Sequence, residues 1–331
     1  ELRQSPAMDF FELKGVCDLN QELAKDVAAE YGTSVIANLD NILNDDSIDA
    51  VALMTPPWGR RALIEKIAAR KKHIMTTKPF ELDPAEGIEA LRIAKDAGIV
   101  IYMNSPAPDV SEDMKQIEIW SKEFKLGSPV GARAEMWAKK KVRPGDSWYK
   151  DRKRCPVAPI FRIGIYLINK LVLLFGEAES VQVMHTILNP ESPLPTTAQL
   201  SIRFNTGAIC SVYVSFDVQD GMDHRNSFTI NFERGTLYSN VGPMKPDMTR
   251  SGIHLELVTP SEKEGHSVTT IKSIYDIHSY PWESFFKAIN GSHSPQDGYS
   301  DKIIAGLNII EAMAKAEVSG KTEAVRQIVR K

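Results

Sequence analysis

Three polar residues stand in line on a largely apolar segment: Arg162, Tyr166 and Asn169, spaced i, i+4, i+7 within residues 159–175. Phe161, Ile165, Ile168 and Val172 make one apolar helical face there, and Leu167, Leu171 and Leu174 add a second. Polar groups on so thoroughly apolar a helix must meet polar partners. Those partners are either a ligand in a cavity or a satisfied structural network, and the pattern alone allows both. A second set of polar residues closes short apolar runs in the first hundred positions: Asp18, Thr55-Pro56-Pro57, Thr77-Lys78-Pro79 and Asn104.

The elements that position this second set alternate between two periods. Apolar runs at 13–17, 34–36, 49–54, 73–76 and 100–103 read as strands. Between them lie helical patterns: Leu23, Val27 and Tyr31 ending at Gly32, then Leu63, Ile67 and Ala68, then Ile88, Leu91 and Ala94. Asp83 with Pro84 opens the last of these helices and Gly98 closes it. Strand 49–54 is nearly all apolar, so it is expected to be covered on both faces. Such alternation predicts βαβ units in a parallel, Rossmann-type sheet, whose ligands sit at the carboxyl ends of the strands. Asp18, Thr55-Pro56-Pro57, Thr77-Lys78-Pro79 and Asn104 all fall at such ends.

Asp18 closes the strand where an acidic side chain accepts both ribose hydroxyls of an adenosine and repels a 2′-phosphate. Leu19 follows and no arginine is near, which favours NAD over NADP. The other reading of Asp18 is an ordinary strand-end cap of the next helix. None of the 20 glycines forms G-x-G, so no glycine fingerprint for a pyrophosphate is present. Residues 2–4 read as the end of a first helix, directly before what would be the second strand. The expectation is that roughly 20–25 residues, a first strand and its glycine loop, precede Glu1.

From Val130 onward the pattern changes. Ala198, Leu200, Ile202 and Phe204 alternate with polar residues, Asn205-Thr206-Gly207 turns the chain, and Ala208 to Phe216 alternates back. Phe228, Ile230 and Phe232, then Ile253, Leu255 and Leu257, repeat the period. This predicts a large, open, mostly antiparallel sheet with one apolar face. Its other face, with Ser201, Arg203, Ser211, Tyr213 and Ser215, is either solvated or packed on a second copy, and a homo-oligomer through the open sheet is expected. Residues 243–252 read as an exposed loop; 282–289 and 300–318 read as helices that pack on the first domain or on the sheet. The expected division is therefore 1–105 and 106–331.

Composition narrows the function. The 331 residues are 43% hydrophobic and 25% charged, which excludes a disordered chain, and no apolar run approaches the ~20 residues of a membrane span. Forty basic against forty-three acidic residues give a net charge of −3, so no nucleic-acid partner is expected. Three widely separated cysteines, without C-x-x-C or metal-ligand spacing, imply no metal and a reducing, cytoplasmic setting.

Residues 40–97, "DNILNDDSIDAVALMTPPWGRRALIEKIAARKKHIMTTKPFELDPAEGIEALRIAKDA", resemble the glucose–fructose oxidoreductase / inositol dehydrogenase / rhizopine-catabolism (Gfo/Idh/MocA) family. That family has T-P-x-x-x-H after one strand and E-K-P after the next. "RIGIYLINKLVLLFGE" is similar to its D-x-G-x-H/Y-x-x-D/N helix, and the likeness extends through the hairpins and final helices. The resemblance implies an α/β fold, a Rossmann-type parallel-sheet domain plus a C-terminal α/β domain with a large open sheet. It also implies nicotinamide-dependent oxidation or reduction of a sugar or polyol. By position, Lys78 matches the lysine of E-K-P, Tyr166 the catalytic His/Tyr and Asn169 the Asp/Asn. Cofactor contacts are expected from Asp18, Thr55, Pro56, Trp58, Arg60, Thr77, Lys78 and Asn104, and substrate contacts from Lys78, Arg162, Tyr166 and Asn169. A free phenol near pKa ~10 is a poor base, but a neighbouring ammonium lowers that value, so Tyr166 as acid/base and Lys78 beside it make coherent chemistry.

The departures from the family pattern carry their own implication. Thr77 stands for its Glu, Arg60 for its His, and Arg162 for its Asp. A fixed guanidinium in place of a substrate-binding carboxylate suits an acidic sugar such as a uronate. The basic run Lys139, Lys140, Lys141, Arg143, Lys150, Arg152, Lys153 and Arg154 either serves the same end or is a solvated loop. The same departures also fit a catalytically degenerate, NAD-linked sensor with this fold.

Overall fold

Local signals and strand pairing build two units, Glu1–Asp109 with His278–Tyr299 and Val110–Ile277 with Ser300–Lys331. The computed structural model describes residues 7–139, 147–221, 224–243, 252–261, 267–274 and 280–329. The expectations for residues 2–4, for Lys140, Lys141 and Arg143, and for most of the loop 243–252 lie outside the described residues.

The first unit runs α1 (Ala7–Phe10), β1 (Gly15–Val16), α2 (Gln21–Tyr31), β2 (Ser34–Val35), α3 (Leu39–Leu43), β3 (Ala50–Leu53), α4 (Arg60–Ala69), β4 (His73–Thr76), α5 (Pro84–Ala97) and β5 (Ile101–Met103). Caps fix the helix ends. Asn20 accepts from Leu23 N at the start of α2, and Asp83 accepts from Ala85 N at the start of α5, with Pro84 in the first turn. Gly98, with φ of 69°, ends α5 in the left-handed conformation that favours glycine.

The strands are parallel, as expected, but they form two separate sheets: β1 with β2, and β3-β4-β5 in that order. This corrects the picture of residues 49–54 as covered on both faces. Ala52 is exposed and Met54 is 45% exposed, while Ile74 and Met75 on β4 are buried. The exposure alternates: Leu53, 6% exposed, faces the core, while Ala52 and Met54 lie on the opposite face, so β3 is covered on one face only. Ile64 and Ile67 of α4 and Ala90 and Ala94 of α5 bury themselves with β4 and β5 in the core.

After crossing the second unit the chain returns to the first, where α8 (Trp282–Ile289) packs on α1, with the Phe11 ring against Trp282, Phe285 and Phe286. A polar chain holds the same segment: Ser284 Oγ donates to Asp109, whose other oxygen meets His293 Nε2 at 2.8 Å, and His293 Nδ1 meets Tyr102 Oη at 2.8 Å. Burial, then the Asp109 charge, pushes the Tyr102 phenol up to about 12, so it stays protonated.

The second unit holds α6 (Glu112–Glu123), β6 (Pro129–Ala138), a π-helical turn (Ile160–Gly164) leading into α7 (Ile165–Phe175), β7 (Ala178–Thr186), β8 (Thr197–Phe204), β9 (Ile209–Ser215), β10 (His224–Phe232), β11 (Gly235–Ser239), β12 (Gly252–Thr259) and β13 (Ser267–Ile274). Helix α9 (Tyr299–Ser319) and β14 (Glu323–Ala324) complete it. Nine strands form one sheet in the order β13-β12-β11-β10-β6-β9-β8-β7-β14, antiparallel except for the parallel pair β6/β9. Alternation is as read: Leu200, Ile202, Phe204, Val212 and Val214 are buried, and Ser201 and Arg203 are exposed. Ser215 differs. It is buried, with its hydroxyl bonded to Thr197 Oγ1 and accepting from Asp217 N.

The apolar segment 159–175 is not one unbroken α-helix. Its first turn, Ile160–Gly164, is π-helical, and the α-helix proper begins at Ile165. The wider turn shifts Arg162 out of the α-phase of Tyr166 and Asn169, so the three do not form the straight stripe of an ideal helix. Gly164 lies where the turn meets the sheet: a Cβ there would come within 2.9 Å of Val214 Cγ2. No helix among the described residues is long and apolar enough to cross a membrane.

Candidate active site

In the first unit, the expected residues from three strand ends come together. Arg60, the first residue of α4, is only 1% exposed, and its guanidinium points inward. Its Nη1 donates to Thr77 O at 2.6 Å, Pro79 O at 2.6 Å and Phe80 O at 3.1 Å, and Nε donates to Thr55 O at 3.1 Å, with Nη2 on the same oxygen. One cation thus joins the segment leaving β3 to the segment leaving β4. Asn104, just past β5, joins the third: its Oδ1 accepts from Lys78 N at 3.1 Å and from Thr77 Oγ1 at 3.4 Å. Pro56 and Trp58 lie on the same β3–α4 connection.

Glu81 completes this cluster. Its Oε2 accepts from the backbone N–H of Arg60 (3.0 Å) and Arg61 (3.3 Å) at the start of α4, where a carboxylate complements the free N–H groups and the helix dipole. Its Oε1 accepts from Leu82 N at 2.9 Å. Burial raises the Glu81 carboxyl above its usual range, and the backbone hydrogen bonds and the Arg60 charge only partly offset that.

Asp18 lies on the other parallel sheet, exposed just beyond β1. One carboxylate oxygen accepts from Asn20 N at 2.8 Å, so the side chain takes part in the turn that leads to the N-cap of α2. Thr55 Oγ1 is buried with no hydrogen-bond partner, at the end of β3. Asp18 is thus accessible to a ligand, whereas the Thr55 hydroxyl is enclosed by the protein.

In the second unit, Arg162 stacks on aromatic rings: its guanidinium carbon is 4.1 Å from the Tyr149 ring centroid and 5.3 Å from that of Phe216. Trp148 stacks on Tyr149 in turn, with centroids 3.7 Å apart. Guanidinium over aromatic faces is a favourable and orienting contact. Tyr166, in the first turn of α7, is half-buried. Asn169 is 6% exposed, and its Oδ1 lies against α9: a Cβ at Gly306 would meet it at 2.5 Å.

Two participants escaped the sequence reading. Glu81 sits between Phe80 and Leu82, and an acid flanked by apolar residues just after a strand was the available signal for a buried carboxylate. Tyr149 carried no signal, because its partner Arg162 is thirteen positions away across an irregular segment.

A parallel βαβ unit with polar groups at its strand ends and a second unit built on a large open sheet are the two parts of a dinucleotide-dependent oxidoreductase. Residues 2–105 match the family model "Oxidoreductase family, NAD-binding Rossmann fold", and residues 115–238 match the "GFO/IDH/MocA C-terminal domain". The chain belongs to the Gfo/Idh/MocA oxidoreductase family. A 1,5-anhydro-D-fructose reductase of Ensifer adhaerens is 20% identical over 86% of this chain and 83% of its own length. An uncharacterized oxidoreductase of Schizosaccharomyces pombe is 30% identical over 44% of this chain, a match that spans only 39% of that relative's length. Among solved structures, levoglucosan dehydrogenase in complex with NADH shares the fold with a TM-score of 0.75, at 21% identity over 98% of this chain and 94% of that one.

Proposed function

We propose that this protein oxidises or reduces a hydroxyl-bearing carbon of a sugar, sugar acid or polyol with a nicotinamide cofactor, NAD rather than NADP. The observation that carries the reading is the fixed backbone of Lys78, held at the end of β4 by the Asn104 carboxamide among converging strand ends. Asp18 would hold the adenosine ribose, and Thr55, Pro56, Trp58, Thr77 and Asn104 the rest of the cofactor. When bound, the nicotinamide supplies the hydride acceptor.

In the oxidative direction Tyr166 takes the proton of the substrate hydroxyl, the carbon loses its hydride, and a carbonyl results. Lys78, as an ammonium, stabilises negative charge on the substrate oxygen as that proton leaves. Asn169, packed against α9, supports the helix that carries Tyr166. Arg162, oriented by Tyr149 and Phe216, selects a substrate carboxylate by a charge-assisted hydrogen bond. A homo-oligomer through the open face of the nine-stranded sheet belongs to the same proposal.

The test is turnover of NAD by a panel of neutral sugars, polyols and uronates, followed by fluorescence and absorbance. Uronate turnover that falls about 10²–10⁴-fold in Tyr166→Phe is the expected result. Arg162→Asp is expected to move preference toward neutral sugars. Cofactor binding without turnover of any panel member would instead identify a sensor.

A further inference from the structure

Arg60 stands where cofactor contact was expected, yet its guanidinium is spent on the protein's own backbone. Its acceptors are not scattered. Thr77 O and Pro79 O, both at 2.6 Å, belong to the residues on either side of Lys78, and Phe80 O follows. On the other side Thr55 O takes the remaining edge of the same plane. Burying an arginine is costly unless its donors are satisfied, and the planar five-donor fork is suited to several fixed acceptors at once.

We propose that Arg60 is a positioning residue: it clamps the backbone on both sides of Lys78 to the end of β3 and so sets where the lysine stem begins. The proposal rests on the catalytic reading of Lys78, but the clamp itself is a separate physical statement. Asn104 fixes the Lys78 N–H from β5, and Arg60 fixes the flanking carbonyls from α4, so the residue is held from two directions. Glu81 seats the start of α4 by accepting from the Arg60 and Arg61 N–H groups, which keeps the base of the arginine in place. A lysine at position 60 retains a charge but lacks the planar fork, and cannot engage both strand-end segments in the same way.

The experiment is amide hydrogen exchange by mass spectrometry on the full chain, for wild type, Arg60→Lys and Arg60→Gln. Exchange of residues 77–82 is expected to quicken at least about tenfold in both variants, with that of 84–97 in α5 within about twofold of wild type. A rise shared equally by both segments, or failure of both variants to fold, makes Arg60 a residue of general stability and overturns the proposal. No change at 77–82 overturns it as well. Titration with NADH separates the other role: loss of NADH affinity with 77–82 unchanged makes Arg60 a cofactor contact. In the turnover assay, Arg60→Lys is expected to lower kcat with KM unchanged. If Lys78→Met leaves turnover intact, the catalytic reading of Lys78 falls, while the exchange result still decides the clamp.

Discussion

Arg60 in the first unit and Lys170 in the second are both cations drawn out of water, and they are satisfied by opposite means. Arg60 spreads one planar charge over the carbonyls of Thr55, Thr77, Pro79 and Phe80, which belong to two different strand ends. Lys170, on α7, concentrates its charge on the carboxylate of Asp113, on α6, with side chains 31% and 4% exposed. The Ser111 hydroxyl donates to the same carboxylate. A fork of donors orients several segments at once, whereas a point charge on a carboxylate fastens one pair of helices. The carboxyls beside the two cations differ accordingly. Burial works to raise Asp113, but the Lys170 charge and the hydrogen bonds from Lys170, Ser111 and Met114 N outweigh it, and the group is held below its usual range. Glu81 bonds backbone N–H groups, and its net displacement is upward.

The largest effect is expected from breaking the second arrangement. Lys170→Met leaves Asp113 buried without its cation. The expected loss is about 3 kcal/mol, the low end for a buried pair because Lys170 is partly exposed, read from urea unfolding. A loss below about 1 kcal/mol would put the pair with ordinary surface ion pairs and erase the contrast. The neighbouring residue sharpens it. Asn169 faces α9 while Lys170 faces α6, so Gly306→Ala forces a Cβ to 2.5 Å from Asn169 Oδ1. Overpacking costs about 1–3 kcal/mol and better helix propensity returns up to about 1, so a net loss of about 1–2 kcal/mol is expected. The double variant with Asn169→Ala should recover part of the overpacking loss; strictly additive losses would show that the contact is not what excludes the methyl group.

What could be read from the residues follows the range of the interactions. Helix α5 is bounded by Asp83, Pro84 and Gly98, each acting within a turn of itself, and the observed span follows those signals. The strands β8 and β9 are joined by Asn205-Thr206-Gly207, so their pairing is nearly local and their alternation was plain. The strand β6 was not read, although it lies inside the sheet, because it pairs in parallel with β9 more than seventy residues on and with β10 beyond that. The π-turn at Ile160–Gly164 was equally hidden: its partner surface is Val214, and no spacing within 159–175 encodes it. At the site, Lys78 was legible from its motif, while the inward direction of Arg60 depends on carbonyls 17 to 20 positions further along.

The smallest effect is one of slope, and it tests whether the two carboxyls differ as their surroundings say. Asp113 has a folded pKa below its unfolded value of about 3.9. Its contribution is therefore complete above that value and is lost as pH falls through the folded pKa. Glu81 has a folded pKa above its unfolded value of about 4.3. Its contribution is complete below that value and is lost as pH rises through the folded pKa, because the native state then binds the proton more tightly. Stability measured by urea unfolding between about pH 3 and pH 7 should show opposite trends in the two difference curves. Wild type minus Asp113→Asn should rise with pH, and wild type minus Glu81→Gln should fall. Two curves of the same sign would mean that Glu81 at the start of α4 is held by charge, as Asp113 is, and that the backbone-bonded cluster around Arg60 is an ion pair after all.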